Sequence, residues 1–303
     1  MIVHVLGSAA GGGFPQWNCN CRNCDGLRRG RIRASPRTQS SIAVSVDGKS
    51  WLLVNASPDI LAQLRAFPEA QPARALRDTA IVGIALVDSQ IDHTAGLLML
   101  REGAPLAIYC TDSVRTDLST GHPLFRVLEH YCRVDWRRVA TDGTGFAVQG
   151  LPGLSLRAIP LQSKAPPYSA HRHEPREGDN VGLLLRDETT GATLFYAPGL
   201  GRMEAHLHAI FGKADCLLLD GTFWTDDEML CAGIAGRSAR DMGHLPLAGP
   251  GGMLEVLAGY PRPRKVLIHI NNTNPILDED SRERAELAAA GIEVACDGMR
   301  LEI

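Results

Sequence analysis

The stretch "IVGIALVDSQIDHTAGL", residues 81–97, decides how the chain is read. Its first seven residues are mostly aliphatic and spell a buried strand. Asp88, Gln90, Asp92 and His93 then arrive within six positions. Side chains alternate faces along a strand, so if this one runs on, Asp88, Gln90 and Asp92 project together and His93 opens the next helix. Carboxylate oxygen and imidazole nitrogen suit iron, manganese or zinc. The plainer alternative is a helix N-cap followed by an incidental histidine.

A second polar island stands at the far end of the chain. In "KVLIHINNTNP", residues 265–275, His269 sits near the end of an apolar strand, followed by Asn271, Asn272 and Asn274. A lone strand histidine is more often a satisfied core residue, but three adjacent amides mark a place for function, with substrate carboxylates or amides as partners. "LLLDGTFW" with Asp220 and "DMGHLPLAGPGG" with His244 repeat the pattern of polar residues following a strand. Four such islands point to one shared pocket. His171 and His173, in "SAHRHEPREGD", lie in a charged, proline-flanked setting that reads as a solvent loop. "GSAAGGGFP" lacks the Gly-Lys-Ser/Thr ending of a phosphate loop and the Rossmann spacing, and reads as a turn that lets backbone approach the pocket.

A separate cluster lies near the start. "WNCNCRNCDG" places Cys19, Cys21 and Cys24 within six residues. In a reducing compartment such spacing reads as a zinc knuckle rather than a disulfide framework, with a fourth ligand to come from elsewhere. Cys110, Cys132, Cys216, Cys231 and Cys296 have apolar neighbours and are expected in the core.

The remaining pattern is α/β. The run "MIVHVLGS" is a strand entering a turn, and Asp47-Gly48 marks a hairpin between "SSIAVSV" and "SWLLVNA". Helices are expected over Ile60 to Leu76, starting at Asp59, and over "TAGLLMLREG", closed by Gly103. "LAIYC", "GFAVQG", "LSLRAIPL", "NVGLLLRD" and "ATLFYAP" read as strands. The last third returns to βα units: "ADCLLLDG", a helix near Leu247 to Leu257, "KVLIHI", "RERAELAAAG" and "IEVACDG". Two β-rich blocks with helices suggest two sheets packed face to face. The 303 residues, 45% hydrophobic and 21% charged, suffice for one large domain spanning 1–303. A net charge of −3 and the lack of a basic tract argue against nucleic acid or an anionic membrane surface as partner. The first residues lack the basic and long apolar regions of a secretory leader, and no segment nears the ~20 apolar residues of a membrane span. The chain is expected in the cytoplasm, its cysteines reduced.

Together "LGSAAGGGFPQWNCNCRNC", "SQIDHTAGL", "APGLG", "LLLDGTFW", "MGHLPL" and "IHINNTNP" resemble the pyrroloquinoline quinone (PQQ) biosynthesis protein B family. The resemblance implies a metallo-β-lactamase fold, a four-layer αββα sandwich. It also brings out departures. Hydrolases of this fold hold two metals with H-x-H-x-D-H, whose first two histidines are here Asp88 and Gln90. Pro198 and Gly199 stand near the usual bridging carboxylate, and Gln162 near the middle histidine. Asp92, His93 and His269 survive, a two-histidine, one-carboxylate set of the kind that leaves positions open on Fe(II) for O₂ and substrate. The implied activity is an iron-dependent, non-heme hydroxylase acting on the tyrosine ring of a glutamate–tyrosine dipeptide cut from a cross-linked precursor peptide. His244 and Asp220 would move protons or orient a ligand; Asp88 and Gln90 would line the pocket or complete coordination. Other proteins of the pathway are possible partners. The alternatives are a carrier for the quinone or its precursor, and a single-metal hydrolase. In relatives an H-x-x-H beginning at the His269 position supplies the zinc's fourth ligand; here Asn272 takes the second place.

Overall fold

Strand alternation sorts the apolar residues into three cores, and the three cores define the layers. The computed structural model describes residues 1–303. In β3 (Trp51–Val54), Leu52 and Val54 face one core while Trp51 and Leu53 face another. In β11 (Cys216–Asp220), Cys216 and Leu218 enter the same first core, and Leu217 and Leu219 a third. The shared core lies between two sheets and the other two lie between each sheet and its helices. The result is helix, sheet, sheet, helix.

The first sheet has the order β14-β1-β2-β3-β4-β5-β6, using β1 (Ile2–Gly7), β2 (Ser41–Ser45), β4 (Ile81–Ala85), β5 (Leu106–Cys110), β6 (Val134–Arg138) and β14 (Arg300–Glu302). The second runs β13-β12-β11-β10-β9-β8-β7, with β7 (Gly145–Ala147), β8 (Leu154–Pro160), β9 (Val181–Asp187), β10 (Thr193–Ala197), β12 (Arg264–Ile268) and β13 (Ile292–Val294). β3 to β6 are mutually parallel, as are β10 to β13. Parallel strands send their carboxyl ends to one edge, where ligands of α/β folds collect. There the sheets are stitched together: Ala9 bridges both Gln39 and Ile270, and Val181 N donates to Val87 O at 2.9 Å.

Several expectations are corrected. The helix at 60 stops at Arg65, and a 3₁₀ turn over Pro68–Ala70 replaces its continuation, because Pro68 and Pro72 cannot sustain the ladder. Asp59 does not cap it with its side chain but accepts from Gln39 N at 2.9 Å. The segment after His93 is one helical turn, Ile91–Thr94, then a 3₁₀ run, Ala95–Leu100. Its backbone bonds are diverted: His93 O accepts from Ala56 N, and Gly96 N donates to Ala56 O. A Cβ on Gly96 would fall 2.0 Å from Ser57 O, so only glycine allows that approach. The helix expected from Leu247 begins at Met253. Cys231 and Cys296 are exposed, on surface segments outside the cores. The unforeseen strands β6 and β14 lie on sheet edges, where outward arginines and acids mask the apolar alternation. No helix is long and apolar enough to cross a membrane.

Candidate metal centre

Strand β4 ends at Ala85, three residues before the first polar position, so Asp88, Gln90 and Asp92 do not share a strand face. A turn takes over instead. Asp88 Oδ1 accepts from Gln90 N at 2.9 Å, and both carboxylate oxygens face His93 Nδ1, at 2.8 and 2.9 Å. That anchor fixes the imidazole with Nδ1 as donor. Nε2 of His93 is buried and has no protein partner. An orphaned, buried ring nitrogen is costly unless something binds it.

The missing partner would sit among Asp92, His93 and His269, whose ligand atoms lie within 4.8 Å of one another. His269 follows β12 directly and adopts a left-handed backbone, φ 61°, rare for a non-glycine residue. Its Nδ1 donates to Thr222 Oγ1 at 2.8 Å, Thr222 in turn donates to Asp220 at 2.5 Å, and Nε2 is left facing Asp92 Oδ2 at 3.2 Å. Two imidazole nitrogens and a carboxylate oxygen therefore converge, each histidine oriented through its other nitrogen, as metal-binding histidines are. The residues fit a single divalent transition metal.

Electrostatics support the same grouping. Burial would raise the Asp92 carboxyl, but His93 and His269 outweigh it and hold it well below the usual range. Burial opposes the charged form of His93, yet Asp88 and Asp92 carry it up to about 9. His244 Nδ1 donates to Asp220 Oδ2 at 2.7 Å, and its ring stacks 5.5 Å from that of His269. Asp220 raises His244 against the effect of burial. Asp220 is itself fully engaged, with Leu200 N and His244 on one oxygen and Thr222 N and Oγ1 on the other. It supports its neighbours rather than offering a free ligand atom.

The pocket has a volume of about 260 Å³ and is walled by residues from every polar island, including Asp88, Gln90, His244 and Asn271. Ala10 and Gly11 bring the glycine-rich turn into it, and a Cβ on Gly11 would stand 3.3 Å from Asp92 Oδ2. Gln90 lines the wall but donates to Lys164 O at 3.1 Å. Two expected substrate contacts are corrected. Asn272 turns its amide to the cysteines, and Asn274 donates to Gly221 O at 2.9 Å and caps the next turn at Ile276 N. Gln162 belongs to a neighbouring cleft, and His171 and His173 lie outside the metal cluster. Thr222, Phe223, Asn180 and Arg172 line the pocket without having been singled out. Thr222 stood inside the quoted "LLLDGTFW", whereas Arg172 was hidden between the two histidines of a loop read as solvent-facing.

A second candidate centre is the cysteine cluster. Cys21 caps the helix Arg22–Arg28, and its sulfur accepts from Cys24 N at 3.5 Å. The Asn272 amide end lies 3.1, 3.6 and 3.3 Å from the sulfurs of Cys19, Cys21 and Cys24. A tetrahedral zinc with sulfur at about 2.3 Å and oxygen at about 2.1 Å has sulfur–oxygen edges of roughly 3.5 Å. The Asn272 Nδ2–sulfur distances are close to those edges, and the three sulfurs lie within 4.8 Å of one another.

Comparison with known proteins agrees with this fold. A model described as the beta-lactamase superfamily domain matches residues 50–270. Coenzyme PQQ synthesis protein B of Azoarcus sp. (strain BH72) is 64% identical over 305 residues, covering 100% of both chains. The protein of the same name from Nitrosococcus oceani is 62% identical over 305 residues, covering 99% of each. The crystal structure of Zn(2+)-bound PqqB from Methylobacterium extorquens is similar over 100% of both chains, with a TM-score of 0.91 and 40% identity. A diphosphatase from the PhnP family shares the fold, with a TM-score of 0.69 and 19% identity over 100% of this chain and 96% of that one.

Proposed function

The chain belongs to the coenzyme PQQ synthesis protein B family, within the beta-lactamase superfamily, and from that premise we propose that it acts in PQQ biosynthesis as an iron-dependent, non-heme hydroxylase. Its substrate is a dipeptide derived from glutamate and tyrosine, and the tyrosine ring gains oxygen. The observation that carries this reading is the unpartnered Nε2 of His93, set beside Asp92 and His269. Fe(II) held by these three residues would supply O₂ activation, since such a set leaves coordination positions open.

What the chain contributes can be stated residue by residue. Asp88 and Thr222 hold the two ligating imidazoles in one tautomer and orientation. Because both carboxylate oxygens of Asp88 are committed to His93, Asp88 is not free for the second metal that two-metal hydrolysis needs. His244, kept basic by buried Asp220, holds a proton at the pocket wall and can pass it to or take it from a phenol oxygen. Zinc suits the separate Cys19, Cys21 and Cys24 site. With its amide turned over, Asn272 would be placed to complete such a site through its oxygen. The Zn(2+)-bound Methylobacterium relative supports metal binding in general.

The test is anaerobic reconstitution with Fe(II), addition of the glutamate–tyrosine dipeptide, then O₂. Oxygen uptake with a product heavier by whole oxygen atoms supports the hydroxylase. Tight product binding without turnover would replace it with a carrier, and turnover with zinc but no O₂ with a hydrolase.

A further inference from the structure

The metal pocket has two neighbouring depressions. Segment 160–164 and Gly243 separate it from a cleft of about 500 Å³, with Ser163 lining both. A third depression, about 460 Å³, meets the metal pocket at Arg172 and the cleft at Lys164. The three adjoin at these shared residues and together make a trough. At about 260 Å³ the metal pocket by itself falls below the roughly 300–1,000 Å³ usual for small-molecule sites, so a ligand reaching the metal would extend into the rest.

The trough is cationic within a chain whose net charge is −3. Lys164, Arg172, Arg176, Arg202, Arg237 and Arg240 line it. None of these six makes an ion pair, whereas surface arginines elsewhere do, including Arg33 with Asp280, Arg74 with Asp78 and Arg264 with Glu293. Outside the metal pocket, with its Asp88 and Asp92, three acids line the trough, and each is engaged by a donor of the chain. Glu204 accepts from Gln162 N at 2.8 Å, Glu177 from Thr141 Oγ1 at 2.6 Å, and Asp241 completes a capping box with Ser238. Lys164 and Arg172 are half-buried and oriented by backbone carbonyls, of Asp241 and Ala165 respectively. Uncompensated guanidinium groups around a polar concavity are suited to carboxylates, which they bind through paired hydrogen bonds.

We propose that this trough is the binding arm for a ligand carrying several carboxylates, placed so that its aromatic end enters the metal pocket. The inference rests on the dipeptide reading and adds to it. A glutamate and a tyrosine cross-linked through their side chains and released from a peptide keep two α-carboxylates and one side-chain carboxylate. The metal pocket has room for the ring; the arginines take the acids.

The probe is 1,3,5-benzenetricarboxylate, whose spaced acids do not chelate, with benzoate and inorganic phosphate for comparison. Calorimetry is run on the metal-loaded protein, on R202E/R240E and on the milder R202Q/R240Q. Both residues are exposed, and thermal melting checks that the variants fold. The expected result is tricarboxylate binding at least tenfold tighter than benzoate and weakening with added KCl. It should fall a further tenfold or more in R202E/R240E and less in R202Q/R240Q, with metal content unchanged. Equal tricarboxylate affinity in all three proteins, or wild-type binding no tighter than benzoate, overturns the proposal. Phosphate binding as tightly as the tricarboxylate replaces carboxylate recognition with phosphate recognition and also overturns it. If charge-dependent tricarboxylate binding is found but the Fe(II) assay yields no oxygenated product, the hydroxylase reading fails and the cationic arm stands.

Discussion

His269 Nε2 and Asp92 Oδ2 lie 3.2 Å apart although 177 residues separate them, one following β12 of the second sheet and the other following β4 of the first. The centre therefore exists only when both sheets are formed and docked. His269→Ala should abolish metal binding in the pocket and leave the cysteine-bound zinc, halving metal content from two ions per chain to one by elemental analysis. Loss of both ions together would show that the two centres are not separate.

Asp88 holds His93 Nδ1 with both carboxylate oxygens and so sets the orientation of the ring. Asp88→Asn should weaken metal binding in the pocket by about 10- to 100-fold, the usual cost of losing such a supporting carboxylate. A competition titration with a fluorescent chelator measures this. Unchanged affinity would mean that His93 is held by its burial alone.

For the zinc site, Asn272→Ala should release zinc to a chelator far faster than wild type, and Asn272→His should retain it. Cobalt substitution provides a second readout. A tetrahedral Cys₃ site with an oxygen or nitrogen ligand gives intense visible absorption, which Asn272→Ala should weaken or shift. Identical spectra would remove Asn272 from the coordination sphere.

His244→Gln should lower kcat by roughly 10²-fold, the low end of what general acid–base catalysis contributes, without altering metal content. Asp220→Asn should reproduce much of that loss and shift the pH profile of kcat, because His244 owes its raised basicity to Asp220. A full-rate His244→Gln enzyme would place the proton transfer elsewhere.

Glu228, bonded to Thr273 beside the two centres, gives a stability test. Burial pushes its carboxyl up to about 7, against hydrogen bonds from Thr273 and Trp224 N that favour the charged form. The folded value lies above the unfolded one, so the protonated form is favoured by folding. Its contribution is complete below pH 4 and is lost as pH rises through 7. Glu228→Gln should flatten that loss, leaving the variant more stable than wild type at pH 8 by about 3 kcal/mol relative to their difference at pH 4. Parallel melting curves across this range would contradict the assignment.

The site was more legible than the helices around it. Asp92, His93 and His269 stand out because polar groups at the ends of apolar strands have few structural uses. The αββα layering follows from strand alternation once both sheets are known, but periodicity alone gives only α/β. Two things were hidden. Asp88 was grouped with Asp92 by alternation along a strand that had already ended, and its true role depends on a turn. Asn272 and Asn274 sit beside Asn271, yet only Asn271 reaches the pocket, because the chain coils after His269 and sends successive side chains in different directions.

The left-handed backbone at His269 has an evolutionary corollary. Among the twenty residues, glycine occupies that conformation with least penalty. Selection for heat tolerance alone would drift towards glycine at this position and yield a sturdier, inert scaffold. A histidine there bears a backbone cost that glycine would escape, and that cost holds an imidazole against Asp92.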